Sequence, residues 1–273
     1  MPTRTVPPRP GRPDPPARRG RRSPVIPPQH GAWGFLALPL LLGVAAAGWS
    51  WWVAVLAVAW VAAYPSSWAL TGLLTARRRD RFRRAALVWS PVCVAAGLPL
   101  LVTHPWLAWV LLGYLALFAV NLVQARRRRE RSLTNDLVLV LECVLLVPVV
   151  AGVVDGASGL ALPVQAMTST DVLVAALLTA LTLVGSTLHV KSLIRERANP
   201  AYTTGSRVFA LACPVVVALV AVGTGLSPWL AAPFVLLAAR AVRWHDPTWR
   251  PARIGLVELG GLVVVAATAF LFL

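Results

Sequence analysis

From residue 29 onward the chain is a succession of long apolar runs separated by short polar segments. A helix rises 1.5 Å per residue, so about 20 apolar residues cross the hydrocarbon core of a bilayer. Nine runs approach or reach that length, at roughly 33–49, 51–75, 85–102, 106–124, 135–154, 172–190, 207–223, 229–243 and 254–273. The pattern predicts an all-α, polytopic transmembrane helical bundle of about nine helices. The first and eighth runs are short, and the first contains Pro39, so whether these two fully span is left open. Residues 1–28 hold many Pro and Arg and no apolar period, which predicts a disordered cytoplasmic tail ahead of a transmembrane domain over 29–273.

The polar segments divide by charge. All 26 Lys and Arg fall in five of them: the tail up to Arg22, Arg77 to Arg84, Arg126 to Arg131, Lys191 to Arg207, and Arg240 to Arg253. Basic residues collect in the loops that stay on the cytoplasmic side. The alternation therefore predicts a cytoplasmic N-terminus, an outside C-terminus and a cytoplasmic (inner) membrane location. The segment 155–171, with Asp155 and Asp171 and no basic residue, is the expected outer loop.

Composition agrees. Hydrophobic residues make up 58% of the chain and charged residues 13%, against about a quarter charged in a soluble domain. The net charge of +16 would suggest nucleic acid in a soluble protein. Here it lies in juxtamembrane loops, so membrane lipids are the expected partners and nucleic acid is not. Cys93, Cys143 and Cys213 lie inside apolar runs without metal-ligand spacing and read as small buried hydrophobes. No cofactor and no metal site is expected.

A polar side chain at membrane depth needs a partner or a task. Glu142 lies inside the fifth run with Asn135 seven residues earlier on the same stripe, and Glu258 lies near the start of the ninth. Either carboxylate reads as a site residue or as a hydrogen-bonding group, which for Glu258 means pairing with a loop Arg. The sixth run carries Thr179, Thr182, Ser186, His189, Ser192 and Glu196 at steps of three and four. Such Ser and Thr either line a polar face or bond back to their own helix. Lys191 and Arg195, four apart, repel unless an anion sits between them. Tyr64 belongs to a stripe in the second run, and His30 precedes the first. These polar residues crowd the basic end, which suggests a cavity opening inward. The expected ligand-binding residues are His30, Tyr64, Asn135, Glu142, His189, Lys191, Arg195, Glu196 and Arg197.

The opening Pro28-Gln29-His30-Gly31-Ala32-Trp33, running into Leu38-Pro39-Leu40-Leu41-Leu42-Gly43, resembles the YwiC-like family of bacterial integral membrane proteins. Asn135-Asp136 and the stretch Lys191 to Arg197 resemble it as well. The resemblance implies a polytopic membrane fold and carries no activity with it. A more distant likeness is to the UbiA superfamily of intramembrane prenyltransferases: nine helices, a basic loop followed by Asn-Asp, and a sixth helix ending Lys191-Ser192-Leu193-Ile194-Arg195-Glu196. That likeness implies an isoprenoid diphosphate held through Mg²⁺ by Asp-rich motifs, because Mg²⁺ takes oxygen ligands and bridges them to phosphate. The matching positions here read Tyr64-Pro65-Ser66-Ser67-Trp68-Ala69-Leu70-Thr71 and offer only Glu196 at the second motif. Metal-dependent prenyl transfer is therefore not expected.

The leading expectation is binding of an amphipathic anionic ligand, a polyprenyl phosphate or a lipid head group, with Lys191, Arg195 and Arg197 holding the anion and His30 and His189 as polar partners. A small-solute or proton-coupled transporter is the second reading. A divergent metal-independent UbiA-like transferase and a non-catalytic scaffold are the others.

Overall fold

The structure, a computed structural model, describes residues 25–27, 31–244, 246 and 248–273. The expected tail, apart from residues 25–27, and His30 lie outside the described residues. Among the described residues ten α-helices follow one another: α1 Ala32–Ala47, α2 Trp51–Thr75, α3 Asp80–Thr103, α4 Leu107–Arg126, α5 Leu133–Asp155, the single turn α6 Val164–Met167, α7 Thr170–Val190, α8 Pro200–Thr224, α9 Ala232–Arg243 and α10 Pro251–Phe272. A π-helical turn, Lys191–Arg195, extends α7, and a 3₁₀ turn, Pro228–Ala231, leads into α9.

Each of the nine apolar runs forms one helix. Seven are long and apolar enough to cross a membrane: α2, α3, α4, α5, α7 with its π turn, α8 and α10. The other two are the short runs, α1 with 16 residues and α9 with 12. Two helices, α3 and α8, begin well before the apolar run that the hydropathy marks. α3 starts at Asp80 and carries Arg81, Arg83 and Arg84 in its first turns, and α8 starts at Pro200. Both starts have a local cause. Asp80 suits the positive end of a helix. Asn199 accepts the Ala201 amide at 3.1 Å while Pro200 takes the first helical position.

α1, α5 and α7 form the centre. α1 packs against both of the others and against α10. Lipid tails are as apolar as Leu, so helices in a membrane associate through close packing rather than hydrophobic exclusion. Two glycines of α1 supply that closeness. A Cβ at Gly43 would lie 2.8 Å from Val150 of α5, and one at Gly34 would lie 2.7 Å from Leu262 of α10. α3 and α4 lie at the periphery and keep large apolar side chains exposed, such as Leu87, Val94 and Leu112.

The helix order sorts the loops into two ends. At one end Trp52 meets His104 edge to face, and Trp106 and Trp109 donate to the carbonyls of Ala157 and Leu160. The connections at this end carry no Lys or Arg. At the other end Lys191 donates to the Arg131 carbonyl at 2.8 Å, joining two basic segments. Polar chemistry concentrates at this basic end.

Candidate functional site

Three polar centres occupy the basic half of the bundle. The first joins α5 to the end of α7. Ser132 caps α5 by accepting the Asn135 amide at 3.2 Å, which sets Asp136 in the first turn, where a negative charge suits the helix dipole. Lys191 Nζ lies 2.7 Å from Asp136 Oδ2, and Arg195 Nη1 lies 4.0 Å from the same oxygen. The anion between Lys191 and Arg195 is thus a side chain of this protein. The Lys191 side chain is 4% exposed and Arg195 45%. Lys191 is a buried strut between helices, and Arg195 remains open to what lies outside.

The π turn creates this arrangement. The Glu196 amide donates to the Lys191 carbonyl at 2.8 Å, five residues back. The widened turn delivers Lys191 to Asp136 while Arg195 stays exposed. Single π turns inside α-helices recur at functional sites. Glu196 is half-buried and Arg197 exposed beyond it.

The second centre joins α7, α9 and α10. Arg240 Nη1 meets Glu258 Oε1 at 2.6 Å, with both side chains buried, and His189 Nε2 lies 4.0 Å from the same oxygen. Glu258 has its Arg, but that Arg comes from inside α9 and not from a loop. Arg240 was expected among loop anchors. Its position between Ala238 and Ala241, within an apolar run, was the available signal that it faces inward. Further along the same segment, the Thr248 hydroxyl and then its amide donate to Asp246, at 2.6 and 2.8 Å, and hold that carboxyl below the usual carboxylate range. Arg253 stacks 3.9 Å over the Trp249 ring.

The polar stripe of α7 is dry. Thr179, Thr182, Ser186, His189 and Ser192 are all buried. Thr179 and Thr182 donate to the carbonyls of Ala175 and Leu178 one turn back, and Ser192 donates to His189. The stripe therefore packs against neighbouring helices and does not line an inward cavity.

The third centre joins α4 and α5. Asn121 Nδ2 donates to Glu142 Oε1 at 2.9 Å, and the Tyr114 hydroxyl donates to the Glu142 backbone carbonyl at 2.8 Å. Asn135, expected on the Glu142 stripe, instead donates to the Glu130 carbonyl at 3.1 Å and belongs to the helix cap. Asn121 is the partner that spacing along one helix does not reveal. Tyr64 meets Trp33 of α1 edge to face at 5.6 Å. The structure thus brings Lys191 and Arg195 together around Asp136 and places His189 beside Glu258. Glu142 and Tyr64 stand elsewhere. Among the described residues no three His, Cys, Asp or Glu side chains cluster to hold a metal ion.

The YwiC-like protein family model matches residues 26–151. The "Uncharacterized protein YwiC" of Bacillus subtilis (strain 168) is 32% identical over 254 residues, which is 91% of this chain and 98% of that protein. An "Uncharacterized protein" of Haemophilus influenzae (strain ATCC 51907 / DSM 11121 / KW20 / Rd) is 25% identical over 234 residues, 86% of this chain and 92% of that protein. No solved structure matches the chain, so the comparisons give the UbiA likeness no support. α1 to α4 and most of α5, Glu142 included, fall inside the family match, and similarity to the Bacillus protein extends over nearly the whole bundle: the chain belongs to the YwiC-like family of proteins.

Proposed function

We propose that this protein binds the phosphate head group of an amphipathic anionic lipid, a polyprenyl phosphate or a phospholipid, at the basic end of its bundle in the bacterial cytoplasmic membrane. Arg195 and Arg197 are the contacting cations, and Lys191 and Asp136 position Arg195. The carrying observation is the asymmetry around Asp136. Lys191 already neutralises it at 2.7 Å, so the half-exposed Arg195 at 4.0 Å retains an uncompensated charge. A guanidinium on a partly exposed turn suits a phosphate, which its planar fork contacts through two hydrogen bonds. The exposed apolar flanks of α4 and α5 offer room for the tail. The concentration of Lys and Arg in these loops supports a cytoplasmic placement of the basic end.

Lipid mass spectrometry of the purified protein tests this. Wild type carries an anionic lipid that Arg195→Ala/Arg197→Ala loses, and its mass separates an isoprenoid phosphate from a glycerophospholipid. Equal lipid content in the two proteins sinks the proposal.

A further inference from the structure

We infer that Glu142 and Asn121 form a reversible proton-binding site inside the bundle, separate from the basic end and independent of the lipid-binding reading. Asp136, Glu142 and Glu258 are compensated differently. Asp136 has Lys191 at 2.7 Å and Glu258 has Arg240 at 2.6 Å. Glu142 forms no ion pair among the described residues. It stands nine residues after the start of α5 at Leu133, about 13 Å along the helix axis. Leu141 and Leu145 beside it are exposed apolar residues that face lipid in a membrane. An uncompensated carboxylate at such depth is costly, and a carboxyl there is neutralised by a proton or a bound cation.

The neighbouring amide favours the proton. Asn121 donates to Glu142 Oε1 at 2.9 Å, yet its own Oδ1 is buried without a hydrogen-bond partner among the described residues. An ionised carboxylate has no hydrogen to give that oxygen. A proton on Glu142 Oε2 resolves both faults. It cancels the charge and supplies the donor that Asn121 Oδ1 lacks, giving the two-bond, edge-to-edge pair of a carboxylic acid and a primary amide. Tyr114 bonds the backbone of Glu142, so it fixes the helix and leaves the carboxyl charge alone. The titratable groups that meet Glu142 are Tyr114 from α4 and Cys143 beside it on α5, and neither is cationic. Glu142 is half-buried and not enclosed, and Gln124 lies one turn from Asn121 toward the basic end, so the proton can exchange.

A hydrophobic carbodiimide tests the site. Dicyclohexylcarbodiimide adds the carboxyl O–H across one C=N bond, and the O-acylisourea rearranges to a stable N-acylurea without a leaving group. Only a protonated carboxyl in a water-poor place accumulates this product. In wild-type protein in liposomes, peptide mass spectrometry should find the adduct on Glu142 and not on Glu258 or Asp136. Labelling should fall roughly tenfold or more between about pH 5 and about pH 9 as the proton is lost. Glu142→Gln should abolish it, and Asn121→Leu should move the midpoint of the pH profile. No adduct on Glu142 in wild type, or labelling that does not change with pH, overturns the proposal. An unmoved midpoint in Asn121→Leu overturns the pairing.

Discussion

Arg240 Nη1 lies 2.6 Å from Glu258 Oε1, so α9 and α10 are joined by an ion pair whose side chains are both more than nine-tenths buried. His189 of α7 approaches the same oxygen at 4.0 Å. Burying two charges costs desolvation energy that their attraction only roughly offsets, but removing one partner leaves the other charge stranded. Arg240→Leu or Glu258→Leu alone should therefore destabilise the protein by about 3–5 kcal/mol. The double variant should cost less than the sum of the two. Thermal unfolding in detergent across this double-mutant cycle is the measurement, and strict additivity would contradict a direct pair.

Lys191 and Arg195 make different demands on the fold although they share Asp136. Lys191→Met strands a carboxylate that is 25% exposed, so the loss should be modest, about 1–3 kcal/mol. Arg195→Ala removes a half-exposed side chain 4.0 Å from its partner and should stay within about 0.5 kcal/mol. Lipid content should respond in the reverse order per unit of stability lost. Comparing unfolding and lipid retention for the two variants separates the strut from the contact. Equal unfolding behaviour would argue against a strut at Lys191.

Much of the fold was legible because the bilayer limits the choices. Backbone groups in hydrocarbon must pair within their own segment, so each apolar run becomes a helix. The polar partners were harder to read. The rule that Lys191 and Arg195 need an anion between them is a local one, and it held, but the anion is Asp136, 55 residues earlier in the chain. Glu142 and Asn121, or Arg240 and Glu258, meet only once helices are packed. The α7 stripe shows the converse limit. Periodicity identified its shared face but could not say whether water or other helices cover it, and burial of Thr179 and Ser192 decides for helices.

Gly72 and Gly97 should respond to alanine with opposite sign. A Cβ at Gly72 would run into the ring of Phe82, which is itself held edge to face against Trp68 at 5.0 Å. The ring cannot retreat without breaking that contact, so Gly72→Ala should loosen the α2–α3 hairpin by about 1–3 kcal/mol. A Cβ at Gly97 meets nothing within 4 Å. There the helix gains from the restricted unfolded chain, and Gly97→Ala should add about 0.5–1 kcal/mol. Unfolding temperatures of the two variants check this, and a loss at Gly97 would show that its open face is covered.

His104 should make stability depend on acid. It follows α3 at the end opposite the basic loops, is 2% exposed, shares a 2.8 Å hydrogen bond between Nδ1 and the Thr103 hydroxyl, and meets the Trp52 ring at 5.6 Å. Burial pushes its pKa below the usual histidine value of 6.5, outweighing backbone hydrogen bonds with Val153 and Leu100 that act the other way. The folded protein thus binds fewer protons there than the unfolded chain. Its contribution is fully present above about pH 6.5 and declines as pH falls toward the lower folded value. The unfolding temperature of wild type should therefore drop on acidification from about pH 7.5 to about pH 5 by more than that of His104→Gln, which carries no such proton. Parallel pH curves for the two proteins would mean that His104 is protonated as readily in the fold as out of it.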